Sequence, residues 1–170
     1  MDLKKISAGK NPPQEINVFI EIPQGSPVKY ELNKEAGVLM VDRFLYTSMT
    51  YPFNYGFIPN TQADDGDPVD VLLISSLPIA PGTIIASRPI GVLEMEDEAG
   101  KDHKILAVPI EKIDPQFASI KDIANLNDHL KQRIKHFFER YKELEPGKWV
   151  KTKKFWGKNR AEAEIKKALK

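Results

Sequence analysis
The chain has no cysteine in its 170 residues. Disulfide frameworks and thiolate metal sites are therefore excluded, a composition in keeping with a reducing compartment. No segment approaches the ~20 consecutive apolar residues that a membrane-spanning helix needs. The opening MDLKKISAGKNPPQE carries three lysines with no continuous apolar stretch behind them. It does not read as a secretory signal, and the expected location is the cytoplasm with no membrane partner. An excess of charge is also missing. The 25 basic and 24 acidic side chains leave a net charge of +1, so bulk electrostatics give no reason to expect nucleic acid as a partner. There is no internal repeat, low-complexity tract or linker, and 170 residues fit a single domain over 1–170. The common catalytic signatures fail as well. No GxxxxGKS/T loop, GxGxxG turn, HExxH helix or GxSxG elbow occurs, and His103, His129 and His136 form no obvious triad.

What the chain does have is a succession of short β-rich runs after an irregular arm that ends near Asn17. They are NVFIEIP, VKYEL, VLMVDRF, YPFNYGF, VDVLLI, TIIASRPIGVL and KILAVPI, parted by Pro, Gly, Asn and Asp. Strands at this spacing predict a closed barrel or sandwich. From Leu126 the apolar residues Leu130, Ile134, Phe137, Phe138, Tyr141 and Leu144 recur at helical spacing. Asn127 or Asp128 can cap that helix, and Gly147 stands where it should stop. A short strand, KWVKT, and a last helix over roughly 160–169 are expected to follow.

The stretch Asp64 to Val71, DDGDPVDV, places four carboxylates just before the apolar run VDVLLI. Carboxylates that close repel one another and lose hydration as a core forms beside them, so cations should sit among them. The stretch is not an EF-hand. Counting from Asp65 puts Asp70 where glycine is needed and Ser76 where the bidentate glutamate belongs. An all-oxygen set suits Mg²⁺, Mn²⁺ or Ca²⁺. Strand alternation sorts further charges by face. Val28, Tyr30 and Leu32 share one side of their strand, with Lys29 and Glu31 opposite. Glu21 lies opposite Val18, Ile20 and Ile22. Asp102 shares a face with Lys104, and Asp97 and Asp102 bracket the turn EDEAGKD. Taken singly, each is what a solvated strand face produces.

The segment DGDPVDVL, Asp65 to Leu72, resembles the D-x-D-P-x-D signature of the soluble family I inorganic pyrophosphatases. IEIP around Glu21, VKYEL, VDRF, YPFNYGFIP, DEAGKDHK and HFFERYKELEPGKWV are similar to family segments in the same order. The resemblance covers nearly the whole chain and is to the bacterial form rather than the longer eukaryotic one. It implies metal-dependent hydrolysis of inorganic pyrophosphate to two orthophosphates. A metal-bridged water or hydroxide would attack phosphorus while Asp67 acts as general base. It implies several Mg²⁺ per subunit, with Mn²⁺ or other divalent ions as substitutes. Asp65, Asp70 and Asp102 would hold them, Asp97 would support them, and Glu21 and Glu31 would contribute mainly through water. Lys29, Arg43, Tyr55, Lys104, Tyr141 and Lys142 would hold phosphate oxygens, with Asp42 and Glu98 tuning charge. The implied fold is α+β and mainly β, a small, closed, highly twisted OB-like barrel with two or more helices outside, and the implied assembly is a homohexamer. By periodicity alone Tyr141 is a core residue and Lys142 a solvated helix lysine. Only the resemblance raises them.

Two rival readings exist. An OB-like barrel with Tyr51, Phe53, Tyr55 and Phe57 at alternating positions can be a single-strand nucleic-acid binder, but here acids rather than bases stand beside those rings. A non-catalytic divalent-metal-binding protein would keep the acidic cluster and release no phosphate.

Overall fold
Continuous apolar runs such as VDVLLI and KILAVPI suit strands that are covered on both sides, and they occupy the middle of the sheet. In the computed structural model, which describes residues 5–170, the chain forms nine strands and two α-helices. They are β1 (Ile16–Ile22), β2 (Val28–Asn33), β3 (Val38–Phe44), β4 (Asn54–Phe57), β5 (Asp70–Leu73), β6 (Ile84–Asp97), β7 (Gly100–Lys101), β8 (Lys104–Pro109), α1 (Asp128–Arg140), β9 (Val150–Gly157) and α2 (Lys158–Ala168). Residues 1–4 of the expected N-terminal arm lie outside the described residues. The rest of the arm docks on β1, with the Ala8 carbonyl accepting the Asn17 N–H at 2.8 Å.

The order β1-β4-β5-β8-β6 is closed by antiparallel pairing of β6 with β1 into a ring of five strands, in keeping with the expected closed β architecture. One long strand makes closure possible. The early part of β6 pairs with β1, its middle with β8 and its end with β7 and β9, and its register shifts at Pro89/Gly91 and Leu93/Met95 let it bend from one partner to the next. This strand runs past the expected TIIASRPIGVL. Gly56 fits another tight place: a Cβ built there would lie 1.8 Å from the Phe19 carbonyl oxygen across β1–β4. The β2–β3 hairpin forms a separate two-stranded sheet.

Alternation along β5 and β8 feeds two cores. Leu72, Ile74, Leu106 and Val108 pack with Ile134, Phe137 and Phe138 of α1, and Val71, Leu73, Ile105 and Ala107 pack with Ala161 and Ile165 of α2. Asn127 caps α1 by accepting the His129 N–H at 2.8 Å. The start of α2 has no cap of its own, and Asp122 supplies one by accepting the Lys158 N–H at 2.8 Å. No helix is long and apolar enough to cross a membrane.

Two expectations need correction. The helix α1 ends at Arg140 with Tyr141 as its C-cap, before the expected Gly147, and Leu144 is exposed rather than core. The chain leaves the helix there because Lys142 and Glu145 turn inward to ion-pair partners. On β2 a register shift between Lys29 and Tyr30 interrupts the simple alternation of faces. The structure also turns Val38, Met40, Val41 and Phe44 of β3 to solvent.

Candidate active site
The ring's topology explains how distant charges meet. β5 and β8 are parallel neighbours with Val71 opposite Ile105, so the residues just before them, Asp70 and Lys104, stand side by side at one end of the pair. Lys104 Nζ lies 2.6 Å from Asp70 Oδ2 and also contacts Asp102 Oδ1. Asp102 folds back toward the end of β6, its N–H donating to the Met95 carbonyl at 3.0 Å. Burial opposes the Lys104 charge, but the field of Asp70 and Asp102 outweighs it and raises the lysine's pKa. The same burial raises the Asp102 carboxyl against the pull of Lys104. A cation therefore does sit among the carboxylates that crowd the start of β5.

The other walls follow from β1, the hairpin and the turn after α1. Glu21 is buried and accepts the Leu32 N–H at 2.8 Å, which ties β1 to β2. Burial raises its carboxyl to about 7, the Leu32 N–H opposes this, and the charges of Asp70 and Glu31 add to the rise. On the hairpin, Lys29 contacts Glu31 and reaches Asp42 at 3.2 Å, while Arg43 contacts Asp42 and donates from Nε to Glu145 at 2.8 Å. Lys142, almost wholly buried, lies 2.8 Å from Asp97 and 3.1 Å from Glu98. Tyr141 stacks on Phe137 with ring centres 5.1 Å apart, and the Tyr55 ring lies 5.6 Å from Lys104 Nζ. Burial raises both phenols above their usual range, so they meet the cleft as neutral donors. Tyr141 is thus both core and wall.

The lip is different in kind. Gly66 takes a φ of 92°, a left-handed turn that suits glycine, and lets the Asp67 N–H donate to Asp65 Oδ1 at 2.9 Å. That turn leaves the Asp67 carboxylate open to solvent, with Lys34 Nζ at 2.9 Å as its salt-bridge partner among the described residues.

These elements enclose a cleft of about 480 Å³. All thirteen candidate residues line it: Asp67; Lys29, Arg43, Tyr55, Lys104, Tyr141 and Lys142; Asp65, Asp70, Asp97, Asp102, Glu21 and Glu31. Asp42 and Glu98 stand behind it as partners of Lys29, Arg43 and Lys142. Sequence reasoning missed Lys34, Lys101 and Lys148, which also line it, and Glu145, which orients Arg43. Each missed residue lies in a turn, an irregular segment or a two-residue strand, where no periodicity tells direction. With them the lining carries seven carboxylates (Glu21, Glu31, Asp65, Asp67, Asp70, Asp97, Asp102) and seven cations (Lys29, Lys34, Arg43, Lys101, Lys104, Lys142, Lys148).

Such a lining binds a small polyanion together with hard cations. The carboxylate donors are all oxygen and fit a divalent ion of the Mg²⁺ or Mn²⁺ type. Among the described residues no three of them already converge on one point, since ammonium groups hold several of them. The nucleic-acid reading loses its platform here, because Tyr51, Phe53, Tyr55 and Phe57 are all buried.

Comparison with known proteins agrees with this chemistry. The family profile described as inorganic pyrophosphatase matches residues 18–170. An inorganic pyrophosphatase of Aquifex pyrophilus is 60% identical over 169 residues, covering 99% of this chain and 96% of the relative. One from Aeropyrum pernix is 62% identical over 148 residues, covering 87% and 84%. The crystal structure of the inorganic pyrophosphatase of Thermus thermophilus superposes with a TM-score of 0.96 at 40% identity, covering 99% of this chain and 97% of that one. A profile match over nine-tenths of the chain and relatives of this identity leave one conclusion: the chain belongs to the inorganic pyrophosphatase family.

Proposed function
We propose that the chain hydrolyses inorganic pyrophosphate to two orthophosphates with the help of divalent metal ions, and that Asp67 is the general base. The observation that carries this reading is the balanced lining of one cleft by seven carboxylates and seven cations. A purely basic pocket would bind the substrate tetra-anion without help, whereas a mixed one suits a substrate that arrives with cations.

Asp65, Asp70 and Asp102 would hold the ions, with Asp97 beside them and Glu21 and Glu31 at the substrate side. Bound there, Mg²⁺ or Mn²⁺ offsets substrate charge and makes water more acidic. The chain's own groups do the rest. Lys29, Arg43 and Lys142 hold phosphoryl oxygens and stabilise charge as it moves from the attacked to the leaving phosphate. Lys104 keeps the floor carboxylates together, while the Tyr55 and Tyr141 hydroxyls donate to phosphate oxygens. Asp67, open to solvent and steered by Lys34 and the backbone turn, is free to take the proton of the attacking water.

Magnesium as the cellular ion, a cytoplasmic location and a homohexamer belong to the same reading. The exposed apolar side chains of β3 supply a surface suited to self-association, and light scattering would test it. The decisive experiment measures phosphate release from pyrophosphate with Mg²⁺, Mn²⁺, Ca²⁺ or EDTA. Release with Mg²⁺, little with Ca²⁺ and none with EDTA is expected. Equal release in EDTA ends the metal reading, and metal binding without any release makes the chain a metal-binding protein only.

A further inference from the structure
A net charge of +1 hides an uneven distribution. Between Lys148 and Arg160 the sequence KWVKTKKFWGKNR holds six cations, no acid and both tryptophans of the chain. Large rings usually bury, yet Trp149 is 42% and Trp156 37% exposed. A lysine lies over each ring: Lys151 Nζ is 5.3 Å from the Trp149 centroid, and Lys154 Nζ is 3.5 Å from that of Trp156. Arg160 reaches the same Trp156 ring at 6.0 Å.

The Trp156 ring is held in place rather than left loose. The Trp156 indole N–H donates to Glu94 at 2.8 Å, and Lys153 pairs with Glu96 at 2.9 Å. Between Thr152 and Phe155, β9 has one residue more than β6 has between Met95 and Leu93. This bulge resets the alternation. Thr152 and Phe155 stay on the α1 side, where Thr152 bonds Glu139 and Phe155 packs on the core, and Trp156 lands on the Glu94 side. Four of the six cations in the segment are neutralised by salt bridges, Lys148 by Glu98, Lys153 by Glu96, Lys158 by Glu162 and Arg160 by Glu164. Lys151 and Lys154 form no salt bridge among the described residues. The result is a strand with an aromatic ring near each end and, between them, two ammonium groups that have no carboxylate partner among the described residues.

We propose that this face of β9 binds single-stranded nucleic acid, with Trp149 and Trp156 as stacking platforms and Lys151 and Lys154 as phosphate contacts. The spacing suits it. Seven residues at about 3.3 Å per residue separate the rings by roughly 23 Å, room for a few extended nucleotides. Exposed rings stack on unpaired bases, which a duplex keeps within its own stack, so single strands are favoured over duplex. Bare charge attraction to a polyphosphate leaves the two exposed rings without a use. A membrane surface needs indoles free to enter the interface, and the Trp156 N–H is tied down by a carboxylate. Nucleotide polymerisation releases pyrophosphate, so this surface would keep the hydrolase where its substrate forms.

Because the only tryptophans lie on this face, the full chain's intrinsic fluorescence reports binding directly. The test titrates it, in EDTA, with a 20-nucleotide oligothymidylate, a linear polyphosphate of equal charge, a 20-base-pair duplex and phosphatidylserine vesicles. The oligothymidylate is expected to quench most strongly and to weaken steeply with salt. K151E/K154E should lower its affinity at least ~10-fold and reduce the salt slope, while pyrophosphate hydrolysis in Mg²⁺ stays unchanged. W156A, or W149A where the first fails to fold, should cost about 5- to 150-fold for the oligonucleotide and leave polyphosphate binding alone. No quenching by oligothymidylate, indifference to K151E/K154E, polyphosphate or duplex bound as tightly, or binding to vesicles alone each overturns the proposal. Hydrolysis is read separately, so loss of the proposed activity and loss of this surface are distinguishable.

Discussion

The floor and the lip of the cleft use the same chemistry, an ammonium against carboxylates, in opposite surroundings. On the floor, Lys104 is 6% exposed between Asp70 and Asp102 at the start of two parallel strands. On the lip, Lys34 is 60% and Asp67 74% exposed in turns. Water screens the second pair and scarcely reaches the first, so equal contacts carry unequal energies. The difference teaches that geometry is fixed below and reactivity is left open above. A carboxylate that must exchange protons with water gains nothing from burial beside a cation.

The largest expected effect lies on the lip and concerns rate alone. Asp67→Asn preserves shape but removes the basic oxygen, so kcat should fall about 10²- to 10⁴-fold. Stability should move by less than about 0.5 kcal/mol, because the residue is exposed. Steady-state kinetics and urea melts check both. Full rescue by excess Mg²⁺ would make Asp67 a mere ligand and dissolve the contrast.

On the floor the order reverses, and stability suffers along with activity. Lys104→Met leaves Asp70 and Asp102 facing each other without their cation. Removing one partner of a buried pair costs about 3–5 kcal/mol, and the low end applies because Asp70 is a third exposed. Urea unfolding in EDTA measures it. A loss under 1 kcal/mol would place floor and lip in the same class.

Glu21 tests the floor through pH. Its folded carboxyl sits at about 7, well above the unfolded value near 4.5, with burial as the main cause. Below the unfolded value both states are protonated and nothing is lost. As pH rises from 4.5 to 7 the folded state holds a proton that the unfolded state has released. The contribution of Glu21 to stability in EDTA should therefore fall over that window by roughly 3 kcal/mol. Glu21→Gln should flatten that slope. A difference between wild type and Glu21→Gln that stays constant from pH 4.5 to 7 would show that Glu21 is solvated.

The two regions were also unequally legible. The sheet centre spoke plainly, because VDVLLI and KILAVPI can be buried only as strands covered on both faces, and the α1 periodicity predicted its buried Ile134, Phe137 and Phe138. Leu144 misled, since helical spacing continued while the chain had already turned to send Lys142 to Asp97 and Glu145 to Arg43. Those ion pairs cross 45 and 102 residues of sequence, and no local pattern encodes them. The gathering of Glu21, Lys29, Asp97 and Lys142 into one cleft was likewise invisible to composition. It was readable only because their segments resemble a family in order. Lys34, Lys101 and Lys148 escaped even that, as side chains in turns, irregular segments or a two-residue strand whose direction the tertiary fold decides.

The smallest expected effect is the one that most sharpens the contrast. Lys34→Met removes the ammonium beside Asp67 without touching the backbone turn that positions it, where the Asp67 N–H bonds Asp65. With both partners mostly exposed, the pair contributes at most about 0.5 kcal/mol, and urea unfolding should scarcely shift. In turnover the change should stay within about tenfold, because Lys34 steers the proposed base and is not itself the proton acceptor. Raising the salt should shrink even that difference, whereas the Lys104→Met defect should persist, since screening acts across the solvated lip and barely in the floor. A salt-insensitive loss at Lys34 as large as that at Lys104 would mean that the lip is closed over in the working enzyme, and that Asp67 acts from a buried site.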